Sequence, residues 1–311
     1  MGLIGELAYD WHDKEKRAVA AKNHTEEMQK NYSADIAASV KAIHIYSKGL
    51  FDKLASGERV ITNPGLTPKY SVKDIDSVSA VLGGPKDICV LNFASYKNPG
   101  GMFLKGSRAQ EESLCHESFL YNVLSDKRLA SYYEYNNKHL NKAFYEDRAV
   151  YTPGIRFSRP MNPFMNKVKI ANVITCAAPN IGAVRMYNKC SKEEERTVLH
   201  DRIRLVLAVA AVNGQRNLVL GAFGCGVFKC DPVIVAEEMK NLLEGEFKGC
   251  FEDVCFAIPS GNNKDNFKAF EDVFVPLEKK KDNDGWVNIA DGLKDVFDAE
   301  AELTEPTDPE L

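Results

Sequence analysis

Four short apolar runs stand out along the chain. They are Ile88 to Ala94, Val168 to Cys176, Leu218 to Ala222 and Val254 to Ile258. Each is of strand length and continuously apolar, which predicts strands of a sheet covered on both faces. Helix-length segments lie between them. Gln110 to Ser125 is one, and Ser191 to Val212 is another, opening with Ser191 and Glu194 at capping-box spacing. Asp231 to Leu243 is a third, with an N-cap aspartate followed by Pro232. Tyr132 to Arg148 is aromatic and polar, and predicts a helix or excursion before a strand around Val150. Residues 1 to about 60 read as polar and helical; Met28, Ile36, Val40, Ile43 and Ile45 sit at roughly helical spacing within Glu26 to Lys48, and Gly49 and Gly57 punctuate its end. The alternation predicts an α/β domain. No internal repeat is visible.

From Glu278 the pattern dissolves into acids, prolines and few large apolar residues, which reads as a flexible tail. One amphipathic piece, Trp286 to Phe297, interrupts it. The expected organisation is one domain over 1–277, with a helical part at 1–60, and an acidic tail at 278–311. Charge divides along the same line. The whole chain carries −4, but 278–311 holds −7 and the body +3. A mildly basic body suits a small anionic ligand and is too weakly charged to indicate nucleic acid.

Composition narrows the rest. No apolar run approaches the ~18–20 residues of a spanning helix, and the N-terminus turns polar too early for a secretory signal. A cytoplasmic monomer is expected. The eight cysteines (Cys89, Cys115, Cys176, Cys190, Cys225, Cys230, Cys250 and Cys255) then read as free thiols. Cys225-x4-Cys230 with Cys250-x4-Cys255 has the look of a zinc set. Cys255 falls inside an apolar run, however, and Cys225 inside a glycine turn, so no metal is expected.

Two glycine-rich segments carry the candidate chemistry. The first follows the strand ending near Ala94 and runs from Asn98-Pro99-Gly100-Gly101-Met102 to Gln110-Glu111-Glu112. Ligands of α/β folds bind at the carboxyl ends of strands, and paired glycines let backbone approach a ligand. Adjacent carboxylates at a helix start are raw material for acid–base work on a glycosidic bond. On these residues alone, an ordinary acidic first turn fits equally well. The second segment, Gly221-Ala222-Phe223-Gly224-Cys225-Gly226-Val227-Phe228, leads from a strand into a helix N-terminus. Its successive N–H groups can form an anion-binding nest. It has neither the Gly-Lys-Ser/Thr of a P-loop nor dinucleotide-fingerprint spacing.

Together the two segments resemble the microbial-type poly(ADP-ribose) glycohydrolase family. The family signature, three glycines, six to eight residues and then Gln-Glu-Glu, is matched by Gly100-Gly101-Met102, seven residues and Gln110-Glu111-Glu112. Asn98-Pro99, Ser113-Leu114-Cys115, Ala178-Pro179-Asn180 and the Gly221 to Phe228 loop extend the likeness over about 25–275. The resemblance implies a macrodomain-like mixed sheet flanked by helices, no cofactor, and hydrolysis of the ribose–ribose O-glycosidic bond of poly(ADP-ribose). The implied ligand is ADP-ribose or its polymer, including polymer on modified proteins. Glu112 is then the general acid and base, with its pKa raised by burial and by Glu111. Glu111 orients ribose hydroxyls, Asn98 bonds the same sugar, Pro99, Gly100 and Gly101 bind substrate, the two glycines by bringing backbone to the sugar and phosphates, and Gln110 supports the loop. Gly224, Cys225, Gly226 and Val227 bind diphosphate, and Phe228 packs on ribose. Asp74 and Asp76 are the adenine candidates. The sequence departs at Met102, where the family has glycine. A residue with a Cβ is costly there if the position needs positive φ or a bare backbone beside the ligand. The alternatives are a non-catalytic ADP-ribose binder and a hydrolase of another ADP-ribosyl linkage.

Overall fold

In the computed structural model, residues 13–61, 64–158, 167–187, 190–261 and 264–275 are described. Chain order begins with α1 (Lys14–Lys41), β1 (His44–Ser47), α2 (Gly49–Ala55), β2 (Lys69–Lys73), α3 (Ser77–Gly83) and β3 (Ile88–Phe93). Then come α4 (Gln110–His116), α5 (Leu120–Leu124), α6 (Ala130–Lys138), β4 (Arg148–Ser158) and β5 (Val168–Cys176). The order closes with α7 (Ile181–Tyr187), α8 (Lys192–Val212), β6 (Asn217–Leu220), α9 (Pro232–Glu244), β7 (Asp253–Ala257) and α10 (Asp265–Phe274). The tail expected from 278, including Trp286 to Phe297, lies outside the described residues.

The seven strands form one sheet in the order β1-β4-β5-β3-β6-β7-β2. β5, β3, β6, β7 and β2 run parallel, while β4 lies antiparallel to both β5 and β1. The continuous apolar runs have a simple cause. Successive side chains point to opposite faces, and both faces are covered. Leu91, Ile174, Leu218, Leu220, Val254 and Phe256 pack on one side with α8 and α9. Val90, Val173, Val219, Cys255 and Ala257 pack on the other with residues of α1, α3, α4 and α5. The carboxyl ends of β3, β6 and β7 therefore open on one edge of a three-layer body.

Local signals explain most boundaries. Ser191 Oγ accepts the Glu194 N–H at 3.0 Å and starts α8; Asp231 Oδ1 accepts the Val233 N–H at 2.9 Å and starts α9. Two expectations need correction. The helix expected over Glu26 to Lys48 stops at Lys41, because His44–Ser47 is a strand paired with Arg148–Tyr151. The N-terminal part is thus not wholly helical. The helix expected over Gln110 to Ser125 is two helices. Ser118 breaks it by donating its hydroxyl to Leu114 O at 2.6 Å and accepting the Leu120 N–H at 3.0 Å, in competition with the backbone ladder.

Candidate active site

The first glycine segment leaves the end of β3 and returns into α4. Gln110 fastens that return. Its Oε1 accepts the Phe93 N–H at 2.9 Å, and its Nε2 donates to Leu91 O at 2.7 Å and Ser77 Oγ at 3.1 Å. One amide thus ties the first turn of α4 to β3 and α3. Glu111 follows and is buried. Its Oε2 accepts the Ser95 N–H at 2.7 Å and its Oε1 accepts Asn92 Nδ2 at 3.2 Å; the same Asn92 amide reaches Thr175 Oγ1 on β5 at 3.2 Å. Burial pushes the Glu111 carboxyl up to about 8; the Ser95 N–H and the Asn92 amide oppose the rise, and the Glu112 charge adds to it.

Glu112 is also buried. Its Oε1 accepts the Met102 N–H at 2.9 Å, and its Oε2 accepts the Ala109 N–H at 3.0 Å. Glu112 is the third residue of α4 and Ala109 its N-cap. The carboxylate therefore makes the reciprocal half of a capping box, whose other half Ala109 cannot supply. Each oxygen keeps a further lone pair for a ligand.

Gly101 explains the signature. Its φ is +61°, and a Cβ there would lie 2.6 Å from Glu112 Oε1 and 3.0 Å from Glu111 Oε2. Only bare backbone fits against the two carboxyl groups. Met102, by contrast, has φ −110° and ψ 30°. That conformation suits any residue, so the departure from the family signature strains nothing.

The second segment leaves β6 and enters α9. Gly224 has φ +77°, and a Cβ there would meet Ala178 Cβ and Cys230 Sγ, both at 2.7 Å. The Cys225 N–H donates to Ala222 O at 3.1 Å, so that expected ligand donor is spent inside the turn. The N–H groups of Gly224, Gly226, Val227 and Phe228 enter none of the described loop bonds. Phe228 O accepts the Gly182 N–H at 2.9 Å, and the Phe228 ring stands edge-on to Tyr145 at 6.0 Å.

Both segments face a cleft of about 660 Å³. Of the predicted residues, Gly101, Gln110, Glu111, Glu112, Gly224, Gly226, Val227 and Phe228 line it. Asn98, Pro99, Gly100 and Cys225 are not among its lining residues. Asn98 is exposed on the outside of the turn, where its carbonyl accepts the Gly101 N–H at 3.1 Å. Gly100 is packed underneath, where a Cβ would lie 2.6 Å from the Tyr121 ring. Asp76 lines the cleft while its carboxylate caps α3 through Ser79 at 3.0 Å. Asp74 instead accepts the Ser260 N–H at 2.7 Å and braces the chain after β7. Sequence reasoning missed Ser95, Arg108, Ala257 to Pro259 and Asn266 in the wall. Ser95 and Ala257 to Pro259 share a signal of position, at the carboxyl ends of β3 and β7, and Arg108 lies between the glycines and Gln110; Asn266, in α10, carries none.

All eight cysteines are free thiols. Among the described residues no three His, Cys, Asp or Glu side chains gather as metal ligands, and no helix is long and apolar enough to cross a membrane.

Residues 13–160 match the family model for the microbial-type PARG catalytic domain. No curated protein matches. Among solved structures, poly(ADP-ribose) glycohydrolase from Deinococcus radiodurans in complex with ADP-ribose shares 34% identity, with 78% of this chain and 98% of that one covered and a TM-score of 0.68. The Thermomonospora curvata enzyme shares 29% identity over 84% of this chain and 100% of that one, at a TM-score of 0.74. The same enzyme bound to the inhibitor ADP-HPD gives 29%, 83%, 99% and 0.72.

Proposed function

The chain belongs to the microbial-type poly(ADP-ribose) glycohydrolase family, and we propose that its cleft hydrolyses the ribose–ribose O-glycosidic bond of poly(ADP-ribose) with Glu112 as general acid and then base. The observation that carries this is the pair Glu111 and Glu112, set side by side in the cleft wall with Gly101 backbone pressed against both. The Glu112 carboxyl gives its proton to the bridging oxygen as the bond from that oxygen to the anomeric carbon breaks. Positive charge then spreads over the ring oxygen and that carbon. The resulting carboxylate takes a proton from water, whose oxygen closes on the anomeric carbon. The products are ADP-ribose and a shortened chain, and Glu112 ends protonated as it began.

Glu111 serves as a fixed partner for ribose hydroxyls, held from behind by Ser95 and Asn92. The diphosphate falls to the N–H groups of Gly224, Gly226 and Val227, since the Cys225 N–H is occupied. Phe228 packs on the ribose. Reading the chain as a mere ADP-ribose binder draws on Met102, whose backbone has no positive φ but which itself lines the cleft; incubation with the polymer decides between the two readings. Eight free thiols suit a reducing compartment, and a cytoplasmic site of action completes the reading; cell fractionation tests it.

Glu112→Gln keeps the shape and one of the two N–H contacts, since an amide NH2 cannot accept the other, and removes the acid. Incubated with poly(ADP-ribose), the unaltered chain should release ADP-ribose, and the variant should be slower by at least about 10²-fold. Equal release by the two would sink the assignment. Parallel incubations with mono-ADP-ribosylated protein identify the linkage preferred.

A further inference from the structure

Between α6 and β4 the backbone takes a course that its residues resist. Asn141, Lys142, Ala143 and Tyr145 have φ of 41°, 54°, 75° and 65°. Left-handed backbone is unfavourable for residues with a Cβ, least so for asparagine, and here four such residues fall within five positions. Such strain persists only where the surroundings over-determine it, and it concentrates at functional sites.

The surroundings here are specific. Arg202 of α8 is fully buried and donates through Nη2 to Phe144 O and Tyr145 O, both at 3.2 Å. Its Nε pairs with Asp147 Oδ1 at 2.7 Å, and its Nη1 reaches Ala177 O just past β5. The Asn180 N–H donates to Ala143 O at 3.0 Å. Thus one buried guanidinium and one amide pin the strained segment to the end of β5 and the start of α7.

What the segment presents is the Tyr145 ring. It stacks on Tyr96 with centroids 4.1 Å apart and planes 8° from parallel. Phe228 meets it edge-on at 6.0 Å and 66°. Its hydroxyl accepts Asn180 Nδ2 at 3.5 Å. Tyr96 is itself fixed, donating to His139 O at 2.9 Å and accepting the Glu146 N–H at 3.1 Å. It also directly follows Ser95, whose N–H holds Glu111. Tyr145 therefore stands between the two arms of the cleft, the carboxylate arm through Tyr96 and the second glycine loop through Phe228, without lining the cleft itself.

We propose that Tyr145 is a positioning residue: its ring sets the separation of Phe228 from the carboxylate arm, and so the fit of the substrate ribose between them. The proposal rests on the reading of the cleft as an ADP-ribose site. A residue that merely filled space would not require left-handed backbone of its own, three left-handed neighbours and a buried arginine to aim it.

The test compares the unaltered chain with Tyr145→Leu and Tyr145→Phe. KM and kcat are measured on poly(ADP-ribose), and the ADP-ribose Kd by calorimetry. Loss of folded protein lowers kcat and leaves KM alone, whereas a displaced Phe228 weakens binding. Tyr145→Leu should raise KM and the ADP-ribose Kd about tenfold with kcat within about threefold, and Tyr145→Phe, which keeps the stack, should restore both. Unchanged KM and Kd in Tyr145→Leu, or a phenylalanine variant as impaired as the leucine one, would overturn the proposal. If Tyr145→Leu does not fold, Tyr145→His replaces it; its smaller ring should give intermediate constants, and unaltered constants count against the idea. Because Kd is read without turnover, a chain that binds ADP-ribose but leaves polymer intact refutes the glycohydrolase reading and leaves this test standing.

Discussion

Glu111 and Glu112 are neighbours in sequence yet live in different surroundings. Each Glu112 oxygen accepts a backbone N–H of its own loop or helix N-cap, while Glu111 accepts the Ser95 N–H and the amide of buried Asn92. The difference has a consequence for stability. The Glu111 carboxyl titrates at 4.5 when unfolded and near 8 when folded. Between those values the unfolded chain has released a proton that the folded chain keeps, so stability falls as pH rises through that window and levels off above it. Glu111→Gln removes this titration. The melting temperature of the variant minus that of the unaltered chain should grow from pH 4.5 to pH 8, and parallel curves would contradict the burial argument. The Gln-Glu-Glu triplet was legible only because, with the glycines before it, it resembles a family signature; on its own residues an acidic first turn fits as well. Arg202 and Tyr145 were not legible. Nothing in Asn141 to Tyr145 announces left-handed backbone, since none of these residues is glycine, and the arginine that holds them comes from a helix far along the chain.

At the scale of elements, α1 proves to be part of the site's support. Arg17 Nε donates to Gly106 O at 2.7 Å. Phe103, fully buried, lies against the rings of His116 at 4.6 Å and Tyr121 at 5.1 Å. Gly106 is where helix and loop touch. Its φ is +74°, and a Cβ there would come within 2.1 Å of Lys14 O and 3.0 Å of Ala18 N. Backbone cannot rotate away as a side chain can. Gly106→Ala should therefore cost about 2 kcal/mol or more, read as a lower urea midpoint, and an unchanged midpoint would mean that α1 is not seated on the loop. The buried strands were visible as apolar runs because both of their faces are covered. β1 and β2 were not. They are edge strands of four and five residues with mixed burial, and neither has a run to see. The break at Ser118 was equally hidden, because a serine interrupts a helix only when its hydroxyl finds the backbone.

For the molecule as a whole, charge is the property that the average conceals. The body carries +3, the segment from 278 carries −7, and the substrate is a polyanion. A chain ending at 277 should show a lower KM for poly(ADP-ribose) at low ionic strength, with the gap closing towards ~0.5 M salt, where the Debye length is only a few ångströms. A salt-independent gap would point to a cause other than charge. The order of the sheet has a further consequence, in the timing of assembly. β2 lies at the edge and pairs with β7 alone, Lys69 against Asp253 through Lys73 against Ala257. A ribosome delivers β2 early and its one neighbour near the end of the body. Until Ala257 emerges, the nascent β2 has no strand to dock on, and domains fold as units during synthesis. The stretch 13–160 that carries the family signature thus lacks three of the five parallel strands and the second glycine segment of the cleft. A premature stop between α4 and β7 yields the carboxylates without a complete sheet to hold them.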